Sequence, residues 1–166
     1  MSMWQPSRCW LNPVSYALLR NGWYTENYLA SAPAALEHGV FIGAADEGKI
    51  ASATRADYAA AAARVISEDG HAGKTYELAG DAGWTLSQLA AELAKQSGKK
   101  VVYQNLSEAD FAAALKGVGL SAGLADMLAD SDTGASKGGL FDDSHTLSKL
   151  IGRPTTSLAD SVKGIL

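Results

Sequence analysis

Six consecutive residues, Asn21, Gly22, Trp23, Tyr24, Thr25 and Glu26, concentrate recognition chemistry in one place. The Asn21 side chain offers both a donor and an acceptor to a carboxamide. Gly22 lets the backbone approach a flat ligand closely. Trp23 and Tyr24 supply flat faces for a ring. The run lies where a short apolar stretch, Tyr16 to Arg20, gives way to an amphipathic one, so it is read as a strand-to-helix joint. In open α/β sheets ligands bind at the carboxyl ends of strands. The same residues also suit a helix entry with its aromatics in the core, and residue types alone leave both readings open.

A second candidate is Arg55, within Ala53-Thr54-Arg55-Ala56-Asp57-Tyr58. Its guanidinium could hold a phosphate or carboxylate bidentately. The plainer expectation is that Asp57 caps a helix and Arg55 pairs with a nearby acid. Two further patterns read as structural. Gly134-Ala-Ser136-Lys-Gly138 fits the G-x-S-x-G elbow, with Asp142, Asp143 and His145 behind it. The elbow needs a strand before the serine, and the preceding stretch here is polar and turn-like, so a flexible loop is expected. Gly117-Val-Gly119-Leu-Ser-Ala-Gly123 follows a helix rather than a strand, so it reads as a helix–helix linker and not a dinucleotide loop. His38, His71 and His145 share no metal-ligand spacing, and no metal site is expected. No Tyr has a Lys four residues on, so the acid–base pair of short-chain reductases is missing, and the catalytic residues stay unassigned.

The elements that would position these groups alternate. Strands are expected at Tyr16–Arg20 (buried), 40–42, 49–51, 75–79 and 101–103. Helices are expected at Glu26–Glu37, 58–68 with Asp57 as cap, 86–97 behind a Thr85/Gln88 capping box, 108–116, 121–130, 144–151 and 156–165, with a loose stretch at 132–139. Alternation of strand and helix argues an α/β fold. The length of 166 residues suits one domain or part of a larger one, and 47% hydrophobic residues suffice for a core. The balance of 14 basic and 18 acidic residues gives a net charge of −4, which supplies no broad positive field for nucleic acid or anionic lipid. Cys9 is the single cysteine, which fits a reducing compartment, and no run reaches the roughly 18 apolar residues of a membrane helix. A cytoplasmic protein is expected.

The segments LLRNGWYTENYLASAPAALEHGVFIGAA, KIASATRADYAAAAARVI, YELAGDAGWTLSQLAAEL, YQNLSEADFAAALKGVGL and IGRPTTSLADSV together resemble the C-terminal part of the type 2 NAD(P)H:quinone oxidoreductases, atypical short-chain reductases of NmrA-like type. The resemblance implies a partial Rossmann-type domain over residues 16–166, with C-terminal strands and a mainly helical substrate lobe. It implies hydride transfer from NADPH to a quinone, with Asn21 to Glu26 on the nicotinamide side of the cofactor. The family's G-x-x-G-x-x-G loop has no equivalent in these residues. Impaired activity, weak or absent NADPH binding and homo-oligomer formation are therefore expected of this chain. A non-catalytic NmrA-like ligand-sensing or partner-binding module is the rival expectation. Residues 1–15 differ in composition, with two Trp, two Pro and the Cys. One reading of them is a frame-shifted copy of the family's gene, since a one-base shift of codons allowed for Cys9 to Pro13 gives Met-Leu-Ala-Glu-Ser, close to a run the family carries before this strand.

Overall fold

The computed structural model describes residues 15–166. The atypical segment, apart from Ser15, lies outside the described residues. In chain order the elements are β1 (Leu18–Asn21), α1 (Thr25–Leu29), α2 (Ala32–His38), β2 (Val40–Gly43), α3 (Arg55–Ser67), β3 (Thr75–Leu78), α4 (Leu86–Ser97), β4 (Val102–Asn105), α5 (Glu108–Gly117), α6 (Ala122–Ser136), α7 (Thr146–Ile151) and α8 (Leu158–Lys163). The strands form two parallel pairs. β1 pairs with β3, Leu18 opposite Thr75 through Asn21 opposite Leu78. β2 pairs with β4, Val40 opposite Val102 through Gly43 opposite Asn105. Parallel pairing needs crossovers, and helices supply them here.

The main core forms around α4. Its stripe of Leu86, Leu89, Ala90 and Leu93 packs with Tyr28, Phe41, Ile50 and Trp84. The expected capping box holds that helix in place: the Thr85 hydroxyl accepts from the Gln88 N–H, and the Gln88 side chain accepts from the Thr85 N–H. Gly98 ends the helix at φ 69°, a left-handed conformation that glycine adopts without a Cβ clash. A second cluster joins Tyr58 and Ala61 of α3 to Leu78, Leu147 and Ile151. A third joins Ala44 to Phe111, Ala112 and Ala129 under the α5–α6 pair.

Several expectations need correction. The single helix over 26–37 is two helices broken at Ala30–Ser31, because Pro33 lacks an N–H and starts a new helix near its N-terminus. The cap of α3 is Thr54, whose hydroxyl accepts from the Asp57 N–H, with Asp57 inside the first turn. The stretch 49–51 forms only an antiparallel bridge between Ile50 and Trp84. The helix expected at 121–130 runs on to Ser136, and the stretch 132–139 is loose only beyond it. Asp132 and Ala135, both buried, give those extra turns an inward face. β1 is not buried: Leu18 is 40% exposed, and among the described residues β3 is its one hydrogen-bonded strand neighbour.

Candidate functional site

A cleft of about 380 Å³ opens at the carboxyl ends of β1 and β3. Asn21, Gly22 and Trp23 form one wall, Leu78 and Ala79 the floor, and Gly139 to Asp142 the facing wall. Three backbone bonds fix the joint that carries the first wall. Gly22 N–H donates to Leu78 at 2.8 Å, Thr25 N–H to Ala53 at 3.0 Å, and Ala53 N–H to Trp23 at 3.1 Å. A Cβ on Gly22 would stand 2.9 Å from the Leu78 carbonyl, so a glycine is needed for this approach. The Tyr58 hydroxyl lies within donating distance of the Trp23 and Leu78 carbonyls, at 3.3 and 3.4 Å. Burial raises its pKa well above the ordinary phenol value, so it stays protonated and able to donate.

The six candidates from sequence do not all face the cleft. Asn21, Gly22 and Trp23 do. Tyr24 lies edge-on to Tyr58, with centroids 5.2 Å apart, and receives a bond from the Asn21 amide at 3.3 Å. Thr25 is buried against Ser52, their hydroxyls 2.7 Å apart. Glu26 accepts the Arg55 N–H at 2.9 Å, which satisfies a free donor at the start of α3. Arg55 does not pair with an acid through its side chain. Its guanidinium sits 5.1 Å from the Tyr24 ring centre and donates to Asn27, so its backbone, rather than its side chain, meets an acid. Arg20 and Glu77, both exposed, pair at 2.6 Å at the mouth. Exposed pairs of this kind contribute little to stability.

The wall from Gly139 to Asp142 was not legible in the sequence. The Ala51 N–H holds the Leu140 carbonyl at 2.8 Å, and the Phe141 ring lies over Gly83, where a Cβ would come within 2.6 Å of it. No local pattern marks residues that meet over such separations. Trp23 also lines a second, smaller cavity of about 40 Å³, with Tyr28, Phe111, Leu115, Leu128 and Asp132. Asp132 is 3% exposed and accepts the Tyr28 hydroxyl and the Ala44 N–H, each at 2.9 Å. Burial pushes its carboxyl up despite those two bonds.

The other patterns behave as structure. Ser136 ends α6 and turns its hydroxyl onto the Thr133 carbonyl, so no nucleophile elbow forms. Gly119 lies in the link between α5 and α6. Among the described residues no group of His, Cys, Asp and Glu could hold a metal ion. None of the described helices is long and apolar enough to cross a membrane.

No protein-family model matches the chain. Over 149 residues it is 85% identical to quinone oxidoreductase 2 of Escherichia coli (strain K12), which covers 90% of this chain and 52% of that protein. Its similarity is to the C-terminal part of a type 2 quinone oxidoreductase, of NmrA-like type. A crystal structure of the Escherichia coli NADPH-dependent quinone oxidoreductase complexed with NADPH matches with a TM-score of 0.89 and 83% identity, over 92% of this chain and 54% of that one. The Citrobacter sp. triphenylmethane reductase complexed with NADP(H) matches with a TM-score of 0.87 and 36% identity, over 92% and 54%. The chain thus spans about half the length of the relatives it matches. The fold is α/β, and its structural neighbours are Rossmann-type, NmrA-like reductases, as the resemblance implied.

Proposed function

We propose that this chain forms the nicotinamide and acceptor side of a cytoplasmic NADPH-dependent quinone reductase. The observation that carries the reading is the cleft at the carboxyl ends of two parallel strands, walled by Asn21, Gly22 and Trp23. Its fit to the nicotinamide end of the cofactor rests on size and approach. About 380 Å³ accommodates a ring with its carboxamide, and Gly22 leaves the backbone bare beside Leu78. NADPH, when bound, supplies the hydride that a quinone accepts. The chain's part is orientation and exclusion. Asn21 offers its amide to the carboxamide, Trp23 gives a flat wall, and Leu140 with Phe141 keeps water from the far side. Tyr58 steadies the joint through the Trp23 and Leu78 carbonyls. The reduced quinone oxygens take up protons readily, so the missing Tyr/Lys pair does not count against this chemistry.

The 166 residues contain no G-x-x-G-x-x-G run to cradle the pyrophosphate. These residues alone are therefore expected to bind NADPH weakly and turn over slowly. The test is NADPH oxidation with a benzoquinone as acceptor. The chain alone should give at most a trace, and addition of a polypeptide bearing a strand, glycine-rich loop and helix should raise the rate. If no rise follows while the chain still binds quinones or protein partners, the ligand-sensing module takes its place.

A further inference from the structure

We infer that Asp81 is a positioning residue that fixes the wall of the cleft opposite Trp23, an inference that rests on reading this cleft as the cofactor side. Asp81 lies two residues beyond Ala79 of the floor, and its carboxylate gathers two other pieces of chain, the start of α7 and Thr155. One oxygen, Oδ1, accepts the Ser148 hydroxyl at 2.5 Å and lies 3.1 Å from His145 Nδ1. The other, Oδ2, accepts the Thr155 N–H at 2.9 Å, while the Asp81 N–H donates to the Thr155 hydroxyl at 2.9 Å. These bonds outweigh the effect of burial and hold the carboxyl below its usual range, so it is a carboxylate at neutral pH.

The position of His145 is the second observation. It stands at φ 55°, in the left-handed region that a non-glycine residue enters only when its surroundings require it, and it opens α7 with no side-chain cap. It is joined to the cleft wall by two residues, Asp143 and Ser144, and that link is itself tied: the Ser144 N–H donates to Asp142 Oδ1 at 2.9 Å, and Lys149 donates to the Ser144 carbonyl at 2.9 Å. Residues 141–145 lie outside helix and strand, so these side-chain ties set their path. At the other end the wall meets the stretch 49–51 through the Ala51 N–H, which donates to the Leu140 carbonyl. Asp81 is thus the anchor that couples the β3 exit loop to the segment that carries Leu140 and Phe141.

The test is amide hydrogen exchange on the intact chain with Asp81→Asn and, separately, Ser148→Ala, together with thermal unfolding. The Ala51 amide is the reporter, because it bonds to the wall and makes no bond to Asp81. Exchange at Ala51 and across 143–149 should quicken about tenfold in Asp81→Asn, and less in Ser148→Ala. The unfolding midpoint should fall modestly, and amides of α4, corrected for that global change, should stay within about twofold. Equal acceleration in α4, or an unchanged Ala51 amide, would overturn the inference. Neither readout needs NADPH or turnover, so loss of the quinone-reductase reading would leave this result standing.

Discussion

At Gly22 the space for a side chain is already taken by the Leu78 carbonyl, 2.9 Å from where a Cβ would be. Gly22→Ala should therefore force the β1 exit away from β3 and destabilise the fold by about 1–3 kcal/mol, measurable by urea unfolding. Two buried carboxyls should give opposite pH signatures. Asp132 has a raised folded-state pKa, so its contribution is fully present below the unfolded value, near 3.9, and is lost as pH rises through the raised value. Asp132→Asn should gain stability relative to the native chain as pH rises above the unfolded carboxyl value, with Tyr28 turning its hydroxyl to accept from the new amide. Asp57 is held low: burial favours its neutral form, but bonds from Thr156, Thr54 and Arg153 outweigh it. Its contribution is present above the unfolded value and is lost as pH falls through the lowered one, so Asp57→Asn should remove part of the native chain's acid sensitivity. At this scale the sequence showed chemistry without direction. Asn21, Gly22 and Trp23 face the cleft, whereas Tyr24, Thr25 and Glu26, of equally suitable type, spend their polar or aromatic groups on Tyr58, Ser52 and the start of α3.

Among the elements, α4 was the most legible, because its start, stripe and stop are all written within fourteen residues, Thr85 to Gly98. Thr85→Ala should cost about 1 kcal/mol, since it removes the hydroxyl arm of a complete capping box. The α3 start is ambiguous by residue type, because Thr54 and Asp57 bond each other reciprocally and either could be the cap. Tertiary demand decides it: Asp57 is fully buried and pairs with Arg153 at 2.8 Å while accepting the Thr156 N–H at 2.9 Å. Asp57→Ala would leave that guanidinium and amide without their partner and should destabilise by about 3 kcal/mol, read by thermal or chemical unfolding. The extension of α6 to Ser136 was hidden for the same reason. Gly, Ser and Thr give it weak helical preference, and only the burial of Asp132 and Ala135 supplies the inward face.

For the whole molecule, the alternation of strands and helices gave the α/β class, but not the open flank. β1 is paired on one edge among the described residues, and Tyr16, Leu18 and Ile66 stand exposed at 46, 40 and 86%. Parallel strands are ordinarily covered on both faces, so this flank should favour self-association, and sedimentation should show mass rising with concentration. On the proposed reading the cleft would meet the nicotinamide ring, while the 166 residues hold no G-x-x-G-x-x-G run for the pyrophosphate. The most direct test of that account is an NADPH titration of the chain followed residue by residue through backbone amide shifts. A dissociation constant near 1 mM, about 4 kcal/mol of binding, is expected, with shifts concentrated at Gly22, Trp23, Ala79 and Leu140. Micromolar affinity in a clean monomer, or shifts that fall elsewhere and spare Gly22 and Trp23, would contradict it.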